Sequence, residues 1–289
     1  MKSMLTGGRG MLGRTLCAVL GGEFEVVPTD LPEADITNEH AFEAILRALA
    51  PDAVVHCAAM TAVDKCETEI ELAWKLNEAG SANVARVCDR NGVRLIAIST
   101  DYVFDGDSNR PYSEYDVPNG GRTVYGQSKF AGEQAVAKLC PNHAICRISW
   151  LYGAGGPSFV HSMVKLADGT RPILKVVADQ RGNPTSTNAV AARLRDILLR
   201  PDLRGVFHLT CEGEATWFEF AREIFRILGI EQDVEPCTTA EFPRPAPRPA
   251  NSRLEKRRLR EEDLPPMPDW RDALAAFLRS EYPNRFPKP

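Results

Sequence analysis

The stretch Thr6-Gly7-Gly8-Arg9-Gly10-Met11-Leu12-Gly13, close to the amino end, decides the fold class. A short apolar strand at residues 3–5 precedes it, and a helical segment at residues 14–20 follows it. The glycines fit either G-x-G-x-x-G (8, 10, 13) or G-x-x-G-x-x-G (7, 10, 13). In both patterns the missing side chains permit a tight turn and bring the backbone close to a pyrophosphate at a helix N-terminus. A strand, this turn and a helix in that order predict a dinucleotide-binding unit of Rossmann type.

The second apolar segment, residues 24–29, ends at Asp30. An acid at the end of the second strand is positioned to hydrogen-bond the adenosine ribose, which favours NAD, although Asp30 would also suit a helix or turn cap. Arg9 favours NADP, because a guanidinium inside the glycine turn would bind the 2′-phosphate. NADPH and NADH therefore both stay open as the cofactor.

Helices and strands continue to alternate along the first half of the chain. The pattern predicts a helix at 38–50, a strand at 53–59, a long helix at 69–91 closed by Gly92, and strands at 93–98 and 144–148. Asn77 and Asn83 on the long helix are read as either functional or surface polar residues. Alternation of this kind predicts an α/β fold with a doubly wound parallel sheet, whose carboxyl edge binds the ligand.

Tyr125 and Lys129 are four residues apart in a segment that is predicted to be helical, so they share one helix face. A cation beside a phenol lowers its pKa from about 10 and prepares it to give a proton to a ketone oxygen. Thr100, at the end of the fourth strand, is the candidate for a second hydrogen bond to that oxygen. Taken alone, the Tyr-x-x-x-Lys spacing also fits an ordinary amphipathic helix. Trp150 fits either a stacking contact with a substrate ring or a core cap.

The second half of the chain has a looser pattern, with helices expected at 158–167, 188–199 and 217–228. Residues 236–249 are rich in proline and are predicted to be extended. The arginines just beyond them suit either a surface linker or the binding of an anionic diphosphate. We expect a Rossmann domain from residues 1–150 with a returning segment at about 182–210. A smaller α/β substrate-binding domain is expected from residues 151–181 and 211–289.

Composition is that of a soluble globular protein, with 44% hydrophobic and 26% charged residues among 289. A formal charge of −4 argues against nucleic acid or an anionic membrane as the partner. No apolar run approaches the ~18–20 residues of a membrane span, and the first residues lack a signal-peptide core, so a cytoplasmic location is expected. Eight cysteines without a Cys-x-x-Cys motif and five scattered histidines predict no metal site.

The motifs taken together resemble those of the extended short-chain dehydrogenase/reductases, and within them the dTDP-4-dehydrorhamnose reductase family. The resemblance covers nearly the whole chain and rests on the following runs: Thr61-Ala62-Val63-Asp64-Lys65, Leu76-Asn77, Ser99-Thr100-Asp101-Tyr102-Val103-Phe104, Tyr125-Gly126-Gln127-Ser128-Lys129, Arg147-Ile148-Ser149-Trp150-Leu151-Tyr152-Gly153, Asp179-Gln180, Gly182, Pro184-Thr185 and Arg248-Pro249-Ala250-Asn251-Ser252-Arg253-Leu254.

This resemblance implies that a hydride passes from NADPH or NADH to the C4 ketone of a dTDP-linked 6-deoxyhexose, the nucleotide-sugar substrate. Tyr125 would donate the proton, Lys129 would lower its pKa and hold the nicotinamide ribose, and Thr100 would tune the transfer. The expected coenzyme residues, besides Tyr125 and Lys129, are Gly7, Gly10, Met11, Leu12, Gly13, Asp30, Asp35, Ile36, Ala59, Met60 and Thr61. The expected substrate residues are Thr100, Asp101, Tyr102, Trp150, Arg248, Asn251, Ser252 and Arg253.

The chain departs from the family pattern at Thr123, Arg181 and Ala250, where Asn, an aromatic residue and Gly are usual, and at Thr15, where some members have a magnesium-binding Glu. Thr15 puts the magnesium-bridged dimer in doubt, so we expect a monomer or weak homodimer. Thr123 and Arg181 leave open a related 4-keto-6-deoxy sugar as the substrate. A non-catalytic, dinucleotide-binding regulatory subunit is a further alternative, although it would not need Thr100, Tyr125 and Lys129 together. An epimerase or a dehydratase fits less well, because a dehydratase prefers an Asp-Glu pair after Thr100.

Overall fold

The computed structural model describes residues 1–286. Its strands are β1 (Lys2–Thr6), β2 (Glu25–Thr29), β3 (Ala53–His56), β4 (Arg94–Thr100), β5 (His143–Ile148), β6 (Leu151–Tyr152), β7 (Ile173–Val177), β8 (Arg181–Gly182), β9 (Thr185–Ser186), β10 (Gly205–His208), β11 (Ala215–Thr216) and β12 (Asp233–Cys237). Its α-helices are α1 (Met11–Leu20), α2 (Glu39–Leu49), α3 (Val63–Cys66), α4 (Ile70–Trp74), α5 (Ser81–Arg90), α6 (Val124–Leu139), α7 (Phe159–Leu166), α8 (Thr187–Leu199), α9 (Trp217–Leu228), α10 (Arg257–Glu261) and α11 (Trp270–Glu281).

A parallel sheet of six strands in the order β10-β5-β4-β3-β1-β2 forms the centre of the fold. Every residue of β3 and β4 is buried, because helices cover both faces of the sheet. Helix α1 packs with α8, while α2, α5 and α6 pack next to one another in a second apolar cluster. The predicted doubly wound α/β fold is therefore confirmed.

The strand order changes direction between β1 and β3, since β2 lies outside β1 and the later strands lie outside β3. Ligands of open α/β sheets bind beyond the carboxyl ends of the strands at this change of direction. The glycine turn follows β1, and residues 57–62 follow β3. The topology thus brings two of the predicted coenzyme segments to one edge of the sheet.

The long helix predicted at 69–91 is interrupted. A π-helix, Lys75–Gly80, separates α4 from α5, and Val63–Cys66 forms a separate short helix. The wide turn presents Asn77, whose side-chain oxygen accepts from the Met60 amide at 2.8 Å and whose amide donates to Ser128 Oγ at 3.0 Å. These tertiary hydrogen bonds explain a departure from helical geometry that the 3.6-residue periodicity cannot predict.

The second half contains smaller units of sheet. Strand β7 pairs in parallel with β12, β8 pairs with β11, and β6 pairs with β9. The proline-rich segment, residues 236–249, begins inside strand β12 and contains a 3₁₀ turn, Thr239–Glu241. The segment is therefore less uniformly extended than predicted. Within residues 1–286 no helix is both long and apolar enough to cross a membrane.

Candidate active site

Two neighbouring cavities lie at the carboxyl edge of the sheet and share Tyr102 and Trp150 in their walls. The first cleft, of about 570 Å³, holds most of the predicted coenzyme and catalytic residues. The second cavity, of about 740 Å³, lies between α7, β7, α9 and the proline-rich segment. Predicted residues that line the first cleft are Gly7, Gly10, Met11, Leu12, Gly13, Asp30, Asp35, Ile36, Ala59, Thr61, Thr100, Asp101, Tyr102, Tyr125 and Trp150.

The glycine turn presents its 7, 10 and 13 positions to the first cleft, which decides between the two patterns. Gly7 has a φ of 67°, and a Cβ there would lie 2.7 Å from the Ala58 amide nitrogen. A Cβ on Gly13 would lie 2.4 Å from the Gly7 carbonyl oxygen. Gly8 instead packs against Pro28 of β2. The close backbone approach and the start of α1 together form a cradle that fits a pyrophosphate.

Asp30 lies at the end of β2 beside this cradle, as predicted. Its carboxylate accepts hydrogen bonds from the backbone amides of Arg9 (3.1 Å) and Leu31 (3.0 Å). The Arg9 guanidinium points away from Asp30, donating to the Leu31 carbonyl and pairing with Glu33 at 3.0 Å. Asp30, which is expected to bind a ribose, and Arg9, which is expected to bind a 2′-phosphate, therefore lie next to each other beside the glycine cradle.

Tyr125 and Lys129 are both buried on the face of α6 that meets β4. The Lys129 ammonium donates to the Ile98 carbonyl of β4 at 2.8 Å. The Thr100 hydroxyl donates to Asp101 Oδ1 at 2.9 Å, and both Thr100 and Tyr125 line the first cleft. Thr123 is the N-cap of α6, and its side chain accepts from the Gly126 amide. This cap occupies the family's usual Asn position and sets the start of the Tyr125 helix.

Burial shifts the pKa of both members of this pair. It raises the pKa of Tyr125 above its usual range, and the nearby Thr100 hydroxyl only partly opposes the shift. Burial lowers the pKa of Lys129 to about 8, against the effect of the Glu133 carboxylate. Lys129, whose ammonium binds a strand carbonyl, is not among the groups that shift the pKa of Tyr125 here, so its lowering of that pKa stays a prediction. A raised pKa keeps Tyr125 protonated, which is the form that can donate.

Asp101 is a buried carboxyl group in the wall of the first cleft, with 4% of its surface exposed. Its Oδ1 accepts from Thr100, and its Oδ2 has no hydrogen-bond partner among residues 1–286. Burial raises the pKa of Asp101 to about 7, although the hydrogen bond from Thr100 favours the ionised form.

Trp150 separates the two cavities. Its ring stacks on that of Trp217, with the ring centres 3.5 Å apart and the planes at 7°. Its backbone φ of 46° is unusual for a residue with a side chain, and such conformations cluster at functional sites. The ring thus packs on a neighbour and also lines both cavities, and its stacking on a substrate ring stays a prediction.

The predicted substrate residues of the tail fall into two groups. Arg248 lines the second cavity and pairs with Asp64 at 2.9 Å. Asn251 donates to the carbonyls of Ser108 and Arg110, and Arg253 pairs with Glu214 and donates to the Asn109 carbonyl. Ser252 is buried, with its hydroxyl 3.3 Å from the Arg181 carbonyl oxygen. The last three hold neighbouring segments together and do not line either cavity.

Some predicted residues contribute from behind the cleft walls. Met60 is buried and fixed by Asn77, so it supports the first cleft without lining it.

The Arg181 guanidinium pairs with Glu214 at 2.8 Å and does not line the second cavity. The Thr15 hydroxyl contacts Thr187 of α8 at 2.9 Å. In the described part of the chain, no group of Asp, Glu, His and Cys side chains is arranged to hold a metal ion.

Several residues that line the second cavity, or that hold its lining side chains, are not predicted as site residues by the sequence. Asp64 accepts from both Arg248 and Arg244, although the sequence marks it only as part of a motif. Burial opposes ionisation of Asp64, but hydrogen bonds from the Ala246 amide and Arg244 outweigh it and lower the pKa. Unpredicted residues that line the cavity are Phe159, Met163, Arg171, Lys175, Gln180, Trp217, Phe242 and Arg244.

The parallel sheet, the glycine cradle and the Tyr125–Lys129 pair at its edge define the chain as a short-chain dehydrogenase/reductase of the extended class. A family model described as the RmlD substrate binding domain matches residues 1–282. The chain belongs to the dTDP-4-dehydrorhamnose reductase family.

Three relatives illustrate the match. The chain is 42% identical to a probable dTDP-4,6-dihydroxy-2-methyloxan-3-one 4-ketoreductase of Streptomyces antibioticus, over 98% of each chain. A solved dTDP-4-dehydrorhamnose reductase from Clostridium acetobutylicum is 42% identical with a TM-score of 0.94, over 97% of this chain and 99% of that one. The Bacillus anthracis reductase, solved in complex with NADP, is 37% identical with a TM-score of 0.93, over 96% and 99%.

Proposed function

We propose that the protein reduces the C4 ketone of dTDP-4-dehydro-L-rhamnose to dTDP-L-rhamnose with NADPH or NADH. The observation that carries this proposal is the position of Tyr125 and Thr100 beside Tyr102 and Trp150, the two residues common to both cavities. A coenzyme in the first cleft and a nucleotide-sugar in the second cavity would meet there. Relatives of the same family that are named as such reductases support the assignment.

The glycine cradle supports a coenzyme in the first cleft. Gly7, Gly10 and Gly13 would bring the backbone to its pyrophosphate, and Asp30 would accept from the adenosine ribose. The rest of its length would be lined by Asp35, Ile36, Ala59 and Thr61. The reduced nicotinamide supplies the hydride in this reaction. Lys129, next to Tyr125 on α6, would hold the nicotinamide ribose.

Tyr125 is the proposed proton donor. Its burial keeps the phenol neutral, so that a proton is available for the oxygen of the ketone as negative charge develops on it. Thr100 would place a second hydrogen bond at the same oxygen. Because the phenol and the hydroxyl come from α6 and β4, two elements packed in the core, their separation is held by the scaffold.

The second cavity is the proposed nucleotide-sugar site. Four cationic side chains, Arg171, Lys175, Arg244 and Arg248, line it together with the ring of Trp217. Cations suit a diphosphate and aromatic rings suit a base or a sugar face. Of the predicted substrate residues, Thr100, Asp101, Tyr102, Trp150 and Arg248 would touch the ligand, and Asn251, Ser252 and Arg253 would support them from behind.

We also propose the domain division expected from the sequence, with 1–150 and the segment at about 182–210 as the coenzyme domain and 151–181 and 211–289 as the substrate domain. The pairing of β10 with β5 in the central sheet supports the returning segment. A cytoplasmic monomer or weak homodimer without nucleic-acid or membrane partners completes the proposal. The −4 charge supports the absence of anionic partners, and Thr15 supports the weak or absent dimer.

A related 4-keto sugar is the second candidate substrate. The observation that favours it is the relative from Streptomyces antibioticus, a probable ketoreductase of a different dTDP-linked keto-sugar that is as similar to this chain as the Clostridium reductase. The pairing of Arg181 with Glu214, outside the cavity wall, argues against Arg181 as the source of altered specificity.

The test follows coenzyme absorbance with dTDP-4-dehydro-L-rhamnose and with other dTDP-linked 4-keto-6-deoxy sugars, each with NADPH and NADH. We expect the highest kcat/KM for the rhamnose precursor, with dTDP-L-rhamnose as the product by chromatography. A higher kcat/KM for another keto-sugar would replace the substrate assignment. Tight coenzyme binding without oxidation by any of them would favour the regulatory-subunit alternative.

A further inference from the structure

Helix α3 lies between the two cavities and is connected to both. Thr61, two residues before it, and Val63, its first residue, line the first cleft. Asp64, the next residue, instead contacts the proline-rich segment that lines the second cavity. A helix of only four residues therefore connects the proposed coenzyme site with the proposed nucleotide-sugar site.

The Asp64 carboxylate holds three donors of the proline-rich segment. Its Oδ2 accepts from the Arg244 guanidinium at 2.6 Å, and its Oδ1 accepts from the Arg248 guanidinium at 2.9 Å and from the Ala246 amide at 3.3 Å. Because the amide lies midway between the two arginines in the chain, the carboxylate fixes the backbone as well as both side-chain ends. The Asp64 and Arg248 side chains are only 24% and 18% exposed, so solvent screens this pair less than an ordinary surface ion pair.

Both guanidinium groups keep donors for a ligand. A guanidinium has five N–H groups. Within residues 1–286, Arg244 uses one of them, on Asp64, and Arg248 uses two, on Asp64 and the Ala246 carbonyl. Since both arginines line the second cavity, their remaining N–H groups are available to the oxygens of a diphosphate.

The same short helix also holds the start of α6. Glu67, the residue that follows α3, accepts from the Val124 amide at 2.9 Å. Val124 is the first residue of α6 and directly precedes Tyr125. The arginines of the second cavity and the helix that carries the Tyr125 phenol are thus attached to α3 through two carboxylates three residues apart.

We propose that Asp64 is a positioning residue for the nucleotide-sugar: it sets Arg244 and Arg248 where the diphosphate binds, and it fixes that site relative to Tyr125. Asp64 acts through the arginines and does not bind the ligand, because a carboxylate repels a diphosphate. The inference rests on the proposed function, since it takes a nucleoside diphosphate as the ligand of the second cavity.

The opposite role for Asp64 would be that of a counter-charge. It places one negative charge beside a cavity lined by four cations, so a mere counter-charge would weaken the binding of an anion. Loss of the charge should therefore weaken diphosphate binding if Asp64 positions the arginines, and strengthen it if Asp64 only neutralises them. The sign of the change separates the two roles.

The test measures the dissociation constants of dTDP and thymidine for Asp64→Asn by calorimetry, with NADPH filling the first cleft. We expect dTDP to bind about tenfold more weakly, the scale of one lost charged hydrogen bond, and thymidine to bind as before because it has no phosphate. Asp116→Asn is the matched control, since Asp116 also accepts from an arginine and a backbone amide at 23% exposure, but lines neither cavity. Its dTDP affinity should equal that of the wild type.

Two further variants act on the same contact. Asp64→Glu keeps the charge but moves the carboxylate by one methylene group, so it should also weaken dTDP binding, whereas a counter-charge would leave the affinity unchanged. This variant carries the test if Asp64→Asn does not fold. In an Arg248→Met background, Asp64→Asn should weaken dTDP binding by less than tenfold, because one of the two arginines that Asp64 positions is gone.

Unchanged or tighter dTDP binding in Asp64→Asn would overturn the positioning role. An equal loss of dTDP and thymidine affinity would do the same, since it would mean a general disturbance of the cavity, as would a full tenfold loss in the Arg248→Met background. Failure of the wild type to bind dTDP at all would instead overturn the nucleotide-sugar site of the proposed function, so the two failures are distinguishable.

Discussion

The first cleft and the second cavity meet at Tyr102 and Trp150, yet their charges are opposite. Ionisable side chains lining the first cleft include three carboxyl groups, Asp30, Asp35 and Asp101, and among the described residues of its wall none is Lys or Arg. The second cavity is lined by four cations and, over the same described range, by no Asp or Glu. Each cavity is nevertheless suited to a ligand that contains a diphosphate.

The difference shows two ways of binding the same anion. In the first cleft, backbone amides and the N-terminus of α1 supply the positive potential, which requires glycine so that the backbone can approach. In the second cavity, flexible guanidinium and ammonium groups supply it, and Asp64 orients two of them. Mutations should therefore act through sterics in the first cleft and through charge in the second.

Tyr125→Phe should give the largest effect, because it removes the proton donor while keeping the aromatic ring in the wall of the first cleft. We expect kcat to fall by about 1,000-fold, within the range of general acid catalysis. Dissociation constants for the coenzyme and the nucleotide-sugar, measured by calorimetry, should stay within about twofold, well under the tenfold that 1.4 kcal/mol gives. Tyr115→Phe, at an exposed tyrosine, is the control. Retention of activity in Tyr125→Phe would remove the phenol from the mechanism.

Gly13→Ala should disable the first cleft alone. The new Cβ would lie 2.4 Å from the Gly7 carbonyl oxygen and 2.7 Å from Gly8 Cα, so the turn must open. Overpacking of this kind costs about 1–3 kcal/mol, which corresponds to about 30-fold weaker coenzyme binding by fluorescence titration. Gly22→Ala, where a Cβ meets nothing within 4 Å, should leave binding unchanged. Equal coenzyme affinity in both variants would contradict the cradle.

Arg248→Met should weaken the second cavity alone, because it removes a cation while keeping most of the side-chain volume. We expect the KM of the nucleotide-sugar to rise about tenfold, as for the loss of one charged hydrogen bond, with coenzyme affinity unchanged. Added salt should reduce the difference between variant and wild type. Arg200→Met, which breaks an exposed pair with Asp202, is the control. A loss confined to coenzyme binding would reverse the assignment of the two cavities.

Glu33→Gln should give the smallest effect and bears on coenzyme choice. Glu33 neutralises Arg9 through an exposed ion pair at 3.0 Å, and its removal frees the guanidinium for a 2′-phosphate. The ratio of NADPH to NADH affinity should rise by about threefold, the scale of one surface ion pair. Glu25→Gln, which breaks the exposed pair with Lys2, should not alter the ratio. A fall in the ratio would mean that Arg9 does not face the 2′ position.

Much of the first cleft could be predicted from the sequence, because its residues lie at the ends of regular strands and in a short glycine turn. Positions 7, 10 and 13, Asp30 and Thr100 were all identified in this way, and each lines the cleft. The choice between the two glycine patterns could not be made, since it depends on Pro28 packing against Gly8. The role of Asn77 was open for a similar reason, because its partners, Met60 and Ser128, lie in other segments.

Of the residues that line the second cavity, the sequence predicts only Tyr102, Trp150 and Arg248 as site residues. Its remaining walls come from α7, β7, α9 and the proline-rich segment, which are far apart in the chain and carry no shared motif. Three tail residues expected at the ligand, Asn251, Ser252 and Arg253, are used for contacts within the protein. A sequence pattern marks such residues as important without showing what they touch.

The sequence by itself determined the α/β class, the glycine turn and the Tyr125–Lys129 pair, because strand and helix periodicities and short-range spacing are local properties of the chain. Only the tertiary structure decided the protonation states and the charge of the second cavity. The pKa of Tyr125, Lys129 and Asp101 depends on burial by segments distant in sequence, and the four cations meet only after folding. Desolvation and convergence of charge are properties of three-dimensional packing, which local spacing does not encode.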